Sequence, residues 1–463
     1  AKQVSSESAT ATAAADSEPA AATPNSESAV ATPNSESAKQ VSSESATATA
    51  AATADSEPAK QVSSESATAT AATTASNESA TAVSASPKAL HEVFSTTIRH
   101  TAKELAPYPR VFQQYEFRRK TILNELAKNK FQLQNFAAVI GRGGMVKPIP
   151  SGTYKVNDLM IKHLSEGYGG EHASNLGGLL AHSIASQIPG CQAFIADPVV
   201  VDELHDVARI TGFPEIKRRS ILHTLNQKAI AKRYAEDCST PYNQLNLIVV
   251  HMGGGVSVGA HCQGRIIDVN DALQGDGPIG PERAGSVPAM PLAVMCFSGE
   301  YTYDEIRKKI AGKGGMLALS GTNSFVELCN RMQAETTASS TATASSTTTG
   351  STAASSTATT SGTSTASTEA SDSAAPSATT IYNAMAYTIA KEIGAMAAVL
   401  KGRIDAILFT GGIAHNKPFI ETIKGYIGFL APCRIYPGED EMHALATNAL
   451  NALTGHEKPM EYL

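Results

Sequence analysis

Residues 246–278 read NLIVVHMGGGVSVGAHCQGRIIDVNDALQGDGP, and this stretch decides how the rest of the chain is read. Leu247 to His251 is an apolar run of strand length, too short for a helix. Gly253, Gly254 and Gly255 follow at once. Val256 to His261 reads as a second strand, and the Gln263-Gly264 turn leads into a third, Arg265 to Val269. Consecutive glycines let the main chain take φ > 0 and let a ligand come close to it. A glycine turn between antiparallel strands can aim several N–H groups at one anion, such as a phosphate. Taken alone, a triple glycine is more often an ordinary hairpin.

A second glycine element changes that balance. Ile404 to Phe409 reads as a buried strand running into Thr410-Gly411-Gly412-Ile413-Ala414-His415-Asn416. A helix is expected from Lys417-Pro418, because proline suits the first helical turn. A strand, a glycine turn and a helix N-terminus form a common seat for phosphates. One hairpin-type and one strand–helix element together suggest a nucleotide held between them. Gly253, Gly254, Gly255, Ser257, Gly411, Gly412, Ile413 and Asn416 are the candidate nucleotide and phosphate contacts.

The wider text resembles the butyrate kinases, a branch of the acetate kinase group in the superfamily of acetate and sugar kinases, heat-shock chaperone ATPases and actin. The resemblance runs from His91 to about Gln333 and from Ile381 to about His456. It rests on VIGRGGMVKPIPSGTY (139–154), GGEHASNLGGLLAHSIA (169–185), SILHTLNQKAIAKR (220–233), VVHMGGGVSVGAH (249–261), DGPIGPERAGSVP (276–288), ILFTGGIAHNKPFI (407–420) and YPGEDEMHALA (436–446). It implies an α/β fold of two actin-like (ribonuclease H-like) domains with a central cleft. It implies reversible phosphoryl transfer between ATP and a short-chain carboxylate with Mg²⁺, or the return reaction from an acyl phosphate to ADP. GEHASNLGG and ADPVVVDE favour butyrate or a branched acid over acetate.

Such transfer leaves little covalent work to the protein, which must align two anions and neutralise charge on the moving phosphoryl group. Arginine suits that task, being a planar fork of permanent positive charge. Arg142, between glycines after the strand Phe136 to Ile140, and Arg283, in Gly280-Pro281-Glu282-Arg283, are by resemblance the active-site arginines. His223 matches a histidine that contacts the phosphoryl group, and His172 a second, with Asn175 beside it. His251 and His261 receive no catalytic role; His251 only opens the phosphate hairpin. Mg²⁺ takes hard oxygen ligands and keeps several waters. Asp197 and Glu441 resemble the family's metal carboxylates, although acids at a helix start also suit the helix dipole.

The rest of the chain is of another kind. Residues 1–90 are mostly Ala, Ser, Thr, Glu and Pro, with AKQVSSESATATAA beginning at Ala1, Ala38 and Ala59. Such text buries too little surface to offset its ordering entropy, so a disordered tail is expected. A Ser/Thr/Ala run at 334–380 reads as a disordered insert, tolerable because loop-closure cost grows slowly with length. The expected kinase domains are 91–224, then 225–333 with 381–431, and 432–463 as a C-terminal helix returning to the first. Residues 1–87 carry ten acids and three lysines, and the insert three acids and no base. Removing both from 43 acids and 37 bases leaves 30 and 34, a slightly basic remainder with no case for nucleic acid. Six scattered cysteines read as free thiols of a reducing compartment, the cytoplasm. No apolar run approaches spanning length, so no membrane partner is expected, whereas a homo-oligomer is.

The family opens with a strand and a phosphate turn rich in Asn, Gly, Ser and Thr, and residues 1–90 contain no Asn-Pro-Gly-Ser-like turn between apolar strands. The first sheet is therefore expected to lack a strand or two and to expose an edge. Two functions stay open at this point: an active carboxylate kinase, and a catalytically degenerate relative that still binds nucleotide.

Overall fold

The computed structural model of the chain describes residues 46–49, 70–73, 90–345 and 375–463, all within the compact unit Ser42–Leu463. Its strands are β1 (Ala46–Thr49), β2 (Thr70–Thr73), β3 (Ser95–Ile98), β4 (Phe136–Arg142), β5 (Thr153–Lys155), β6 (Gln192–Ala196), β7 (Asn246–Met252), β8 (Val256–Cys262), β9 (Arg265–Val269), β10 (Ala406–Gly411) and β11 (Cys433–Pro437). Its helices are α1 (Ala102–Leu105), α2 (Tyr115–Lys128), α3 (Asp158–Glu166), α4 (Asn175–Ala185), α5 (Thr224–Asp237), α6 (Ala289–Phe297), α7 (Tyr303–Ile310), α8 (Gly315–Ser320), α9 (Phe325–Ser345), α10 (Ala378–Val399), α11 (Lys417–Ile427) and α12 (Glu441–Thr454).

The 246–278 stretch folds as the expected antiparallel meander β7-β8-β9, and β10 and β11 add parallel to β7, giving the order β11-β10-β7-β8-β9. This is the strand order of an actin-like domain. Strand side chains alternate between faces. Ile248, Val250 and Met252 therefore join α10 and α11 in one core. Leu247 and Val249 face the other way, onto Ile230, Ala231 and Ala235 of α5. A sheet covered on both sides reads as continuous apolar runs, as Leu247–Val250 does.

The second sheet has the order β2-β4-β6-β5, with β4 parallel to β6. Val139 and Ile195 pack on Leu176 and Leu179 of α4. Ala138, Ile140, Phe194 and Ala196 face Ala444, Leu445 and Ala449 of α12. The chain's last helix thus closes the back of this sheet.

Two expectations are corrected here. The edge of β4 is not bare: β2, from the repeat copy that begins at Ala59, pairs with it antiparallel, and β1, from the copy at Ala38, pairs with β3. An unpaired edge is a template for any extended segment, and Thr-Ala-Ala-Thr, half of it β-branched, can supply one. The insert is also shorter than composition implied. α9 runs on to Ser345 and α10 starts at Ala378. The Glu335 carboxylate accepts from the N–H groups of Ala378 (2.8 Å) and Thr379 (3.1 Å), capping α10 and drawing the two ends of the insert together. The remaining expectations for the tail and for 346–374 lie outside the described residues.

Candidate active site

Ligand sites in open α/β sheets gather at the carboxyl ends of parallel strands. In one sheet β4 and β6 end with Arg142 paired to Ala196, so Asp197 follows beside the Arg142 loop. In the other, β7, β10 and β11 end at Met252, Gly411 and Pro437.

Glycines set the Arg142 loop down on α4. A Cβ at Gly141 would lie 2.2 Å from the Gly177 carbonyl oxygen, and one at Gly144 would lie 2.4 Å from Asn175 Cα. Asn175 ties the loop further, accepting from Met145 N at 2.8 Å and donating to Gly170 O at 2.9 Å. Arg142 is thereby aimed at Glu441, the first residue of α12, and the two form a largely buried ion pair. Burial pushes the Glu441 carboxyl up from its usual range, and the Arg142 guanidinium holds it back. Glu441 was expected at a metal ion; in this structure its carboxylate is engaged by Arg142.

His251, given only a positional role from sequence, stands at the centre. It is buried at the end of β7, with Nδ1 2.9 Å from Asn226 Oδ1 and Nε2 3.4 Å from Glu439. Its ring stacks on His223, centroids 3.9 Å apart. Burial lowers its pKa to about 4; Glu441 opposes that shift and Arg142 adds to it. His223 caps α5, and its Nδ1 lies 3.0 Å from Ser257 Oγ. Ser257 was expected at the nucleotide, but it is fully buried and its hydroxyl serves His223 and Gln227.

The triple-glycine turn borders this cluster. A Cβ at Gly253 would meet His251 Nε2 at 3.0 Å and Glu439 at 3.1 Å. A Cβ at Gly255 would meet Arg283 Nη1 at 2.8 Å, so Arg283 lies against the turn. Arg283 is held by main-chain bonds, Gly280 N to Arg283 O at 3.0 Å and Ala284 N to Ile310 O at 2.9 Å. Arg142, Glu441, His251, His223, Gly253, Gly255 and Arg283 thus form one contiguous set of neighbours.

Asp197 takes a left-handed backbone (φ +38°), and its Oδ1 accepts from Ser151 Oγ at 2.7 Å and Gly152 N at 2.8 Å. His172 is bonded through Nδ1 to Ser174 Oγ at 2.7 Å, just before α4. At the second glycine element, Gly411 (φ +87°) would carry a Cβ 2.4 Å from Met252 O, so only glycine fits. Asn416 spends its side chain on capping α11, accepting from Phe419 N at 3.0 Å, and on Cys329 Sγ at 3.4 Å. Ile413 packs into the core. These two were expected at the nucleotide; Gly411 gives its N–H to Gly438 O (3.0 Å) and accepts from Gly438 N (3.1 Å), so the contacts this element offers are those of the Gly412 main chain. The residues sequence reasoning missed are His251, Asn226, Gln227 and Glu439. His223, Asn226 and Gln227 fall at i, i+3 and i+4, one helix face, and that spacing was the available signal.

Residues 215–353 and 347–425 match the profile described as the Acetokinase family. The chain is 49% identical over 372 residues to butyrate kinase 2 of Clostridium acetobutylicum, covering 80% of this chain and 93% of that protein. It is 46% identical over 371 residues to a probable butyrate kinase of Clostridium botulinum (strain Eklund 17B), covering 80% and 93%. Among solved structures it is similar to Porphyromonas gingivalis acetate kinase (TM-score 0.59, 18% identity, 78% of this chain and 87% of that one). It is also similar to a propionate kinase from Francisella tularensis (TM-score 0.54, 16% identity, 76% and 86%). At those identities the structures speak for the actin-like fold alone.

Proposed function

The chain belongs to the acetokinase family on the strength of its butyrate kinase relatives, and from that premise we propose that it is a carboxylate kinase acting on butyrate or a branched short-chain acid. The reaction is ATP + butanoate = ADP + butanoyl phosphate. A carboxylate oxygen attacks the γ-phosphorus, the bond to the β,γ-bridging oxygen breaks, and ADP keeps the electron pair. The observation that carries this reading is the set Arg142, Glu441, His251 and His223, with Glu441 and His251 buried, beside the glycine turn that Arg283 touches.

Each group has a task that its position supports. The N–H groups of Gly254 and Gly255 suit the ATP phosphates, that of Gly253 being donated to Gly255 O at 2.9 Å, and the main chain at Gly412 suits ribose or base. Arg142 and Arg283 neutralise the transferring phosphoryl and the carboxylate, and His223 donates a hydrogen bond to a phosphoryl oxygen. Arg142 exchanges part of its pairing with Glu441 for the incoming anion.

Mg²⁺ would supply charge neutralisation at the phosphates, and such an ion usually asks one or two carboxylates of the protein. Asp197 fits as one such carboxylate, directly or through water. Glu441, engaged by Arg142, does not fit in this arrangement. No group of three or more His, Cys, Asp or Glu that could hold a metal occurs among the described residues. The six cysteines stand as free thiols, which suits the cytoplasm, and no helix among the described residues is long and apolar enough to cross a membrane.

Self-association belongs to this reading. No residue of α6 is buried. Val287, Met290, Val294 and Phe297 follow one another at helical spacing, Phe297 is 90% exposed, and residues 286–298 carry no charge. Tyr303, at the start of α7, is also largely exposed. An uncharged helical stripe suits its own copy across a two-fold axis.

The test is acyl phosphate formation by the purified chain with Mg²⁺-ATP and butyrate, isobutyrate or acetate. Turnover that favours butyrate or isobutyrate is expected. ATP binding with no transfer to any of the three acids would end the carboxylate kinase reading.

A further inference from the structure

A buried chain of hydrogen bonds reaches His223 from the far end of β8. Ser257, Gly259 and His261 share one face of β8, because Val256, Val258 and Ala260 fill the core on the other. His223 and Gln227, four apart at the start of α5, share one helix face. The two rows meet. Tyr242 Oη lies 2.7 Å from His261 Nδ1, and His261 Nε2 lies 2.9 Å from Gln227 Oε1. Gln227 Nε2 lies 2.8 Å from Ser257 Oγ, which is 3.0 Å from His223 Nδ1. Gln227, Ser257 and His261 are fully buried.

Chemistry fixes the direction of each bond as far as Ser257. The Ser257 carbonyl, 3.3 Å from the same Gln227 nitrogen, can only accept, so the NH₂ end of the amide faces Ser257. The amide oxygen then faces His261 and can only accept, so His261 Nε2 carries a proton. Burial holds the His261 pKa well below its ordinary value, helped by the Lys228 cation, and the ring is neutral. Its Nδ1 is therefore bare, and the Tyr242 hydroxyl donates to it; burial pushes the Tyr242 pKa well up and keeps that proton in place. Ser257 Oγ accepts the Gln227 N–H and keeps its own proton, which points at His223 Nδ1 when Ser257 is the donor of that bond. Donated there, it makes Nδ1 the acceptor and leaves the ring proton at Nε2.

We propose that Tyr242, His261 and Gln227 are positioning residues that act through Ser257 to hold His223 in the tautomer presenting Nε2–H to the transferring phosphoryl group. The assignment rests on the carboxylate kinase reading above. No proton changes hands: the N–H donates a hydrogen bond to an oxygen that gains charge in the transition state. The other tautomer would turn a lone pair on that anion.

The test uses the full chain labelled with ¹⁵N-histidine, read by NMR at neutral pH, with kcat and KM for ATP measured in parallel. His223 is expected protonated at Nε2 and bare at Nδ1. Gln227→Glu removes the donor to Ser257, so the serine hydroxyl turns to the new carboxylate and His223 Nδ1 becomes protonated. By analogy with groups that orient metal ligands, kcat should fall about 10–100-fold, while KM for ATP stays within roughly twofold. Tyr242→Phe, at the partly exposed end of the chain, removes one donor without disturbing packing and should give a smaller loss in kcat. Wild-type His223 protonated at Nδ1 alone would overturn the proposal, as would Gln227→Glu with both spectrum and kcat unchanged. If Gln227→Glu does not fold, Tyr242→Phe with wild-type kcat and spectrum overturns it equally. The spectrum is read without turnover, so a chain that phosphorylates none of the three acids defeats the kinase reading, while the spectrum still decides whether Gln227 and Ser257 set the His223 tautomer.

Discussion

Gly259→Ala places one methyl group where the hydrogen-bond chain crosses β8. The added Cβ would stand 2.4 Å from Gln227 Oε1 and 3.3 Å from His261 Nε2. The first contact is about 1 Å too close for non-bonded atoms. Gly259 is not among the glycines with positive φ, so the backbone accepts alanine without strain. The obstacle is the end of a side chain, and Gln227 can swing aside at little steric cost. What it loses is its pairing with His261 and Ser257 in a fully buried place. Buried polar groups left unpaired cost about 1–3 kcal/mol each, so roughly 2–4 kcal/mol is expected for the pair of broken contacts. At 2–4 °C per kcal/mol this is a fall in Tm of roughly 5–15 °C, with a loss in kcat as Ser257 is released. Differential scanning calorimetry and steady-state kinetics measure both. Gln227→Ala in the same background removes the obstacle, so the double variant should be no worse than Gln227→Ala alone. Wild-type Tm and kcat in Gly259→Ala, or strict additivity in the double variant, would refute the reasoning.

Arg283→Ala should lower kcat by about 100-fold, on the order of 3 kcal/mol, and weaken ATP binding far less, because the clamp acts on charge that develops during transfer. Calorimetric titration with ATP beside kinetics separates the two. Acid sensitivity should follow His251. Its pKa is about 4 folded against an ordinary 6.5, so the unfolded chain takes up the proton first as pH falls. Stability should hold above about pH 6.5 and decline by up to ~3 kcal/mol towards pH 4, and His251→Gln should flatten that slope in urea titrations. For α6, the double variant Val294→Glu, Phe297→Glu should reduce the mass measured by sedimentation to that of one chain, and Phe213→Glu, at an exposed site elsewhere, should not. An unchanged mass in the α6 variant would dismiss this surface.

The residues whose roles are local were the most legible. Leu247–Val269 declared its meander because apolar runs, a triple glycine and Gln263-Gly264 are short-range signals. Arg142, His223 and Arg283 were found as motif residues, yet their text did not say what they touch. Glu441 reads from sequence as an acid at a helix start, and only the packing of α12 behind β4 brings it to Arg142. His251 looked like the end of an apolar strand, and its partners Asn226 and Glu439 come from segments 25 residues before it and far beyond it in the chain. Composition also misjudged how far helix and strand reach. Ala- and Thr-rich text carries no hydrophobic face, but it continues a helix already begun at Phe325 and lines a strand already formed at β4.

The carboxylate of Glu335 at the head of α10 makes the junction of α9 and α10 a seam held by contacts. Phe325 stacks on Tyr382 across the α9–α10 contact at 5.9 Å, and both belong to the core that carries β7, β8 and β10. These contacts bind the two helices to one core. A cut between them would leave two fragments, the second bringing the central strand β10, the glycine element at Gly411 and the partner of Arg142. The first fragment would hold the sheet β2-β4-β6-β5 without the helix α12 behind it, and neither would hold the sheet β11-β10-β7-β8-β9 or the site complete, while the two together would hold both. The seam is accordingly a place where this catalyst can be divided into halves that regain activity only on meeting.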